Sequence, residues 1–210
     1  MNRNSLHIHV VVATAITLFH SCVISCGHLA QYTQERQTSY SFNIMLTKCS
    51  GPGTIRRIKT LNVDENDWYI YEDDHITIMW AYRPVKIFTS TFEHVPVQHK
   101  KAKGLVFRLL NKTDQTVGIL WNSVLYTDQN AEKHRVIHTT NMEQTDIETK
   151  AHISDLIYPI GYTKRRGWRL EPVPLFTADN AHAGQSISIS MPIHNIPYTY
   201  LFTFKILVTE

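Results

Sequence analysis

The chain lacks the short motifs that identify most enzymes. It has no G-x-S-x-G, no H-E-x-x-H, no C-x-x-C and no glycine-rich phosphate loop. Serine, histidine and aspartate occur throughout, but no spacing orders them into a triad. No cofactor motif or metal motif stands out either. The sequence therefore favours a non-catalytic function.

The chain also lacks a strong net charge. Its 21 lysines and arginines against 18 acidic residues give a formal charge of +3. Residues 1–25 contain only Arg3 among these, so the remainder has 20 basic and 18 acidic residues. A nearly balanced charge does not indicate a nucleic-acid partner, and we expect none.

No apolar run is long enough for an ordinary membrane-spanning helix. The longest runs from Val10 to Phe19 and stops at His20, whereas a spanning helix needs roughly 20 such residues. A short basic start followed by about ten apolar residues is typical of an export signal. We therefore expect residues 1–25 to be a signal peptide.

Cysteine is scarce, with only Cys22, Cys26 and Cys49. The stretch "VISC" that ends at Cys26 follows the apolar run and resembles the bacterial lipobox. That resemblance implies a lipoprotein in which the Cys26 thiol receives diacylglycerol, fatty acids such as palmitate complete the anchor, and Cys26 becomes the first residue. Two or more chains are needed for a durable hold on a bilayer. The location implied is the bacterial cell envelope, at the outer membrane or a periplasm-facing membrane.

Two other interpretations of Cys26 remain open. It could pair with Cys49 in an exported disulfide, or ordinary signal cleavage could fall a few residues downstream. If Cys26 is lipidated, Cys49 is left as a single thiol, and we expect it to be buried and inert. The polar residues 26–39 would then be the lipidated N-terminus and a flexible tether. The thirteen tether residues 27–39 would span about 40 Å when extended.

Apolar and polar residues alternate with a period of two from Tyr40 onwards. "QSISISM" is the clearest example, with Ile187, Ile189 and Met191 on one side and serines on the other. Turn residues separate such runs at intervals of about ten residues. This pattern indicates half-buried antiparallel strands and favours a β-sandwich over residues 40–210.

The alternation makes specific predictions about the core. Trp121 and Phe204 should be buried, and the apolar final strand should lie inside a sheet. One segment departs from the strand pattern, since "MEQTDIETKAHISDL" (142–156) could hold a short helix.

The stretch "FRLLNKTDQTVGILWNSVLYTD" (107–128) is the most individual in the chain. Asn111 to Asp114 form a turn whose side chains can bond their own backbone. With "WYIYEDDHITIMW" before it and "RVIH" after, the stretch resembles uncharacterised bacterial lipoproteins with an immunoglobulin-like β-sandwich. The resemblance covers residues 68–140 and includes the "PIGYTKRRGW" segment. It implies the fold and carries no catalytic residues.

The densest local charge is "KRRGWR", residues 164–169. Four cations (Lys164, Arg165, Arg166 and Arg169) beside Trp168 could bind an anionic saccharide or a lipid headgroup. The simpler interpretation is a solvated loop whose arginine stems cover the indole.

Two other polar clusters favour simple structural roles. His134 and His138 are four residues apart, but on a strand their rings lie roughly 13 Å apart and cannot share one ion. Glu72 to His75 place three carboxylates beside an imidazole, without the spacing of a calcium loop. We expect a solvated turn there and scattered histidines elsewhere.

These observations together predict a lipid-anchored exported envelope protein that acts as a binding, scaffold or assembly-accessory module. The membrane, envelope proteins and an anionic polysaccharide are the expected partners. One alternative is an envelope polysaccharide hydrolase with carboxylates from separate strands. Another is a surface adhesin with an exposed aromatic and arginine patch.

Overall fold

The structure is a computed structural model, and it describes residues 39–63, 66–88, 99–139, 142–166 and 169–210. Tyr40–Glu210 form one compact unit, built almost entirely of strands. They are β1 (Ser41–Ser50), β2 (Arg57–Val63), β3 (Asn66–Glu72), β4 (Ile76–Phe88), β5 (His99–Asn111), β6 (Val117–Leu120), β7 (Leu125–Thr127), β8 (Lys133–Ile137), β9 (Gln144–Ile147), β10 (His152–Pro159), β11 (Thr163–Arg166), β12 (Arg169–Pro172), β13 (Ser186–His194) and β14 (Thr199–Thr209). Short 3-10 helices occupy Trp121–Ser123 and Ile160–Tyr162.

The main strands form one antiparallel path in the order β1-β14-β13-β7-β8-β10-β5-β4-β3-β2, with β6 and β9 attached at β13. The path curls so that its two ends face each other as layers. Trp80 on β4, for example, lies 5.2 Å and 5.6 Å (ring centroids) from Phe202 and Phe204 on β14. The predicted all-β, antiparallel, sandwich-like class is confirmed.

The core sits between the layers and is rich in aromatic rings. Trp80, Tyr71, Phe107 and Phe202 are all fully buried, and each packs against at least one other ring. Burying a large apolar side chain contributes roughly 1.5–3 kcal/mol relative to leaving it exposed. Period-two alternation thus places the apolar side chains of each strand on one face of the sheet. Curling of the sheet packs the apolar faces of its two ends against each other and removes them from water.

The specific core predictions are confirmed. Trp121 and Phe204 are 4% and 0% exposed. Ile187, Ile189 and Met191 are buried along β13, and the final strand β14 lies between β1 and β13.

The predicted short helix over 142–156 is wrong. The segment forms β9 and the start of β10, with Lys150 at φ +59° in the turn between them. Ile147, which is buried, pairs with Val117 on β6. β9 pairs with β6 and β10 pairs with β5, so tertiary context overrides the helical composition of this stretch.

The predicted turn at Asn111 is confirmed, and the side chain does more than expected. Asn111 is fully buried. Its Nδ2 donates to the carbonyls of Gln115, Ile147 and Glu148, and its Oδ1 accepts from the Thr113 backbone N–H at 2.9 Å. One amide therefore joins the β5–β6 turn to the end of β9.

The expectation of a solvated turn at Glu72–His75 is wrong for Asp73, which is fully buried. Its Oδ1 accepts the backbone N–H groups of His75 and Ile76, both at 2.8 Å. Its Oδ2 accepts the hydroxyls of Tyr71 and Tyr200, at 3.1 Å and 2.9 Å. Four donors compensate the carboxylate for the water that it loses, so it closes this end of the core.

Candidate functional site

Cys26 and the predicted tether 26–39 lie almost wholly outside the described residues, so lipidation stays a prediction. The partner that the sequence offered as an alternative, Cys49, is buried on β1 with a free thiol. Burial raises the pKa of that thiol to about 12. Cys49 is therefore the inert buried group that the sequence predicted.

Within the described part of the chain, no helix is long and apolar enough to cross a membrane.

The basic run 164–169 is only partly described. Lys164, Arg165 and Arg166 lie exposed on β11, and Arg166 forms an ion pair with Glu171 at 3.2 Å. Arg169 pairs with Arg166 in the β11–β12 register, and Trp168 lies outside the described residues. The proposed anion site on these residues stays a prediction.

A second cationic surface, which the sequence did not reveal, lies on the outer face of β3, β4 and β5. The guanidinium groups of Arg83 and Arg108 each lie 5.0 Å from the ring centroid of Trp68. Trp68 is only 3% exposed, and the alternation along β3 places it on the face opposite to that of Tyr69 and Tyr71. In the β2–β3 register it lies opposite Leu61. No ion pair joins either arginine to a carboxylate in the described ranges.

An open groove of about 390 Å³ begins at Arg83. Its polar lining comes from Arg83, Thr139, Ser154 and Asp155, and Val106 contributes to its apolar lining. The Asp155 carboxylate is held in place because its Oδ1 accepts two backbone N–H groups, at 2.8 Å and 2.7 Å. The groove thus offers a cation, two hydroxyls, a carboxylate and apolar surface side by side.

The β7–β8 hairpin carries a second polar cluster, centred on the buried Asp128. Asp128 Oδ1 accepts the backbone N–H groups of Asn130 and Glu132, at 2.8 Å and 2.9 Å. Its Oδ2 lies 3.0 Å from His134 Nε2 and 3.2 Å from the Tyr162 hydroxyl. One ligand atom each from Asp128, Glu132 and His134 lie within 4.8 Å of one another.

These contacts determine the protonation of the cluster. Burial opposes ionisation of Asp128, but hydrogen bonds from His134, from the hairpin backbone and from Tyr162 outweigh it and lower its pKa. Burial, with the charge of Asp128, raises the pKa of Tyr162 to about 12. Asp128 is therefore an anion and Tyr162 a neutral donor at physiological pH.

The sequence analysis considered His134 only together with His138 and predicted that the two do not share an ion. His138, four residues on, stacks on Trp121 with ring centroids 4.0 Å apart, and burial lowers its pKa against the charge of Asp155. The neighbours of His134 are instead Asp128 and Glu132, from its own hairpin. The sequence signal for this cluster is the spacing D-x-x-x-E-x-H in "DQNAEKH", residues 128–134. That spacing brings the three side chains together only if the segment forms a tight hairpin turn.

No protein-family model matches this chain, and neither a curated protein nor a solved structure matches it significantly. The site therefore has to be interpreted from its own geometry.

Proposed function

We propose that this chain is a lipid-anchored, exported protein of the bacterial envelope that binds an acidic polysaccharide without catalysis. Cys26 carries the anchor, residues 27–39 the tether, and the groove at Arg83 receives the ligand. The observation that carries the binding function is the pair of guanidinium groups that Trp68 holds beside a groove with hydroxyl and carboxylate groups.

The groove chemistry supports an acidic sugar over a simple anion. A guanidinium recognises a carboxylate or sulfate group well because its donors form a planar fork. Asp155, Ser154 and Thr139 suit sugar hydroxyls, which both donate and accept hydrogen bonds. A bare phosphate would meet the Asp155 carboxylate unfavourably. The mixed lining therefore favours a ligand with both acidic and hydroxyl groups.

Trp68 prepares the site for binding. Stacking on the indole restricts both arginines before any ligand arrives, and ordering such a side chain on binding would otherwise cost about 0.5–1.5 kcal/mol. A cation at this distance from an indole face is also attracted to it, by about 0.5–1 kcal/mol.

The hydrolase alternative calls for a carboxyl group that can act as a general acid. A general acid needs a raised pKa. Among the described carboxyl groups with clear shifts, Glu72, Asp74 and Asp128, the pKa is lowered in each case.

The anchor is tested by the Cys26→Ala variant in cells fed a labelled palmitate analogue. We expect the wild-type chain to be labelled and to sediment with membranes, and the variant to be unlabelled. Cys49→Ala is the matched control and should label normally. Labelling of the Cys26→Ala variant would refute the lipoprotein assignment.

Binding is tested by retention of the full chain on immobilised polygalacturonate, with neutral dextran as the blank. Arg83→Gln/Arg108→Gln removes the two charges beside Trp68, of which Arg83 lines the groove. Arg165→Gln/Arg166→Gln removes the same number from β11. We expect the first variant to bind about tenfold more weakly or worse, because a hydrogen bond to a charged group is worth about 1.5–3 kcal/mol.

The β11 variant distinguishes the two cationic surfaces. A loss of retention confined to Arg165→Gln/Arg166→Gln would place the binding site on the basic run 164–169. Equal losses of retention in both variants would show that binding reflects general charge attraction. No retention of the wild-type chain would refute the binding function.

A further inference from the structure

We propose that Asp128, Glu132 and His134 form a binding site for a divalent transition-metal ion, with Zn²⁺ as the best match. The site goes beyond the proposed function, because it lies on the β7–β8 hairpin and uses none of the groove residues.

The three side chains are of the right kind and lie close enough together. Their ligand atoms lie within 4.8 Å of one another, and His134 Nε2 lies 3.0 Å from Asp128 Oδ2. Two atoms bound to one Zn²⁺ at its usual bond lengths of about 2.0–2.2 Å lie roughly 3–3.5 Å apart. Only a small contraction around Glu132 would be needed to enclose the ion.

The donor set points to a transition metal over calcium or magnesium. An imidazole nitrogen suits Zn²⁺, Cu²⁺, Ni²⁺ and Fe²⁺, whereas Ca²⁺ requires six to eight oxygen ligands. Two carboxylates neutralise the charge of a divalent ion. Three protein ligands leave a coordination position for water.

A second, independent observation is the Tyr126 hydroxyl, which is buried with no hydrogen-bond partner. Tyr126 is 0% exposed and lies directly opposite His134 in the β7–β8 register. Its ring meets the Tyr162 ring edge-on at 6.2 Å. Its ring centroid also lies 6.3 Å from that of His134. The buried ring that carries the unpartnered hydroxyl therefore packs against two residues of the cluster.

A second unpartnered group lies in the same hairpin. Gln129 Nε2 is buried without a partner, while its Oε1 lies 3.4 Å from the Tyr162 hydroxyl. Unmade hydrogen bonds of buried polar groups cost about 1–3 kcal/mol each. A hydrated ion at the cluster would supply polar partners for both groups.

The surrounding contacts hold the ligands in position. The hairpin backbone holds Asp128 Oδ1, and the Tyr162 hydroxyl orients Oδ2. Gly161 lies directly against His134 Nδ1, where a Cβ atom would collide with the ring. Partners of this kind raise metal affinity by fixing the orientation of the ligands. A His134–Asp128 hydrogen bond alone would not explain why Glu132 lies close to both residues. It would also leave the Tyr126 hydroxyl and Gln129 Nε2 without partners.

The test is a titration of the metal-free full chain with Zn²⁺ against a competing chelator. We expect one Zn²⁺ to bind tightly to the wild-type chain. Affinity should fall at least about tenfold in Glu132→Gln and in His134→Gln. The Glu143→Gln/His182→Gln variant also removes one exposed carboxylate and one exposed imidazole, and it should retain the tight site.

Two measurements keep the test independent of folding. Glu132 is exposed, so Glu132→Gln should unfold at the same temperature as the metal-free wild-type chain. Added Zn²⁺ should raise the unfolding temperature of the wild-type chain and of the control variant, and should raise it less in the two ligand variants. Equal Zn²⁺ affinity in wild type and His134→Gln, or an equal loss in the control variant, would overturn the site.

Discussion

Two hairpin turns of this sandwich bind a buried aspartate in the same way and yet differ in what they can do. Asp73 in the β3–β4 turn and Asp128 in the β7–β8 turn each accept two backbone N–H groups on Oδ1. Each also has two side-chain partners on Oδ2. A glycine approaches each cluster closely, Gly53 in the first and Gly161 in the second.

The difference lies in the side-chain partners. Asp73 is fully buried and both of its side-chain donors are tyrosines. Neither partner therefore offers an imidazole or a second carboxylate. Asp128 faces His134, whose side chain is 16% exposed, and Glu132 lies within reach. The same backbone arrangement therefore closes the core in one hairpin and presents metal ligands in the other.

The largest effect should come from removing each carboxylate. Asp73→Ala leaves two buried hydroxyls and two N–H groups unpaired, so we expect it to lower the free energy of unfolding by about 3–5 kcal/mol. Asp128→Ala should cost about 1–2 kcal/mol, because His134 in its cluster is partly exposed to water. Urea denaturation followed by tryptophan fluorescence measures both, and equal costs would contradict the distinction between the two hairpins.

Filling the close approach at each glycine should produce the next largest difference. In Gly53→Ala the new Cβ would lie 2.7 Å from Asp73 Oδ2, and four hydrogen bonds prevent that carboxylate from moving. We expect a cost of about 2–3 kcal/mol. Gly161→Ala should cost about 1 kcal/mol, since the His134 ring can turn outward at the loss of one hydrogen bond.

The glycine comparison also has a binding measurement. If His134 turns outward in Gly161→Ala, Zn²⁺ affinity should fall while most of the stability remains. Gly53→Ala should leave Zn²⁺ affinity unchanged at temperatures where it is folded. The reverse pattern would contradict the assignment of the two hairpins.

Removing one hydroxyl from each region compares a satisfied group with an unsatisfied one. Tyr200→Phe deletes one of the two hydroxyl donors to Asp73 Oδ2, and we expect a loss of about 1–2 kcal/mol. Tyr126→Phe removes a hydroxyl without a partner, so in metal-free protein its effect should be close to zero or slightly stabilising. Thermal unfolding in the presence of a chelator measures both, and a large cost for Tyr126→Phe would show that its hydroxyl has a partner.

The smallest effect should be a pH dependence at the edge of the Asp73 region. The hydrogen bond from Lys112 is the main cause of the lowered pKa of Glu72, against a smaller opposing effect of burial. A folded pKa below the unfolded value of about 4.3 means that this stabilisation is present above that pH. It is lost as the pH falls through the folded pKa.

The Lys112→Met variant tests this dependence. It should lose less than about 1 kcal/mol at pH 7, since both side chains are partly exposed, and the difference from wild type should shrink towards pH 3. Lys205→Met, which removes an exposed lysine from β14, is the control. A difference between Lys112→Met and wild type that stays constant from pH 7 to pH 3 would contradict the assignment.

Much of the fold follows from local pattern. The alternation in "QSISISM" and in β14 predicts which residues are buried, because successive side chains on a strand face opposite ways. The turn at Asn111 follows from short-range side-chain chemistry. The composition of residues 142–156 permits a short helix, and the pairing of β9 with β6 that decides against it is a contact that no local window contains.

The candidate sites were less predictable. Arg83 and Arg108 are 25 residues apart and each stands singly among apolar residues, so only the β3–β4–β5 register brings them to Trp68. Acidic residues near a turn usually face water, and the burial of Asp73 depends on Tyr200, which is 127 residues away.

The amino-acid order by itself determined the strand periodicity, the core-facing residues, the sandwich class and the prediction of an export signal with a lipidated cysteine. These depend on neighbours within a few residues. Only the tertiary structure decided which aspartates are buried, which arginines meet an indole and which histidine meets two carboxylates. Those outcomes depend on strand register and on curling of the sheet, since a shift of one residue turns every side chain to the opposite face.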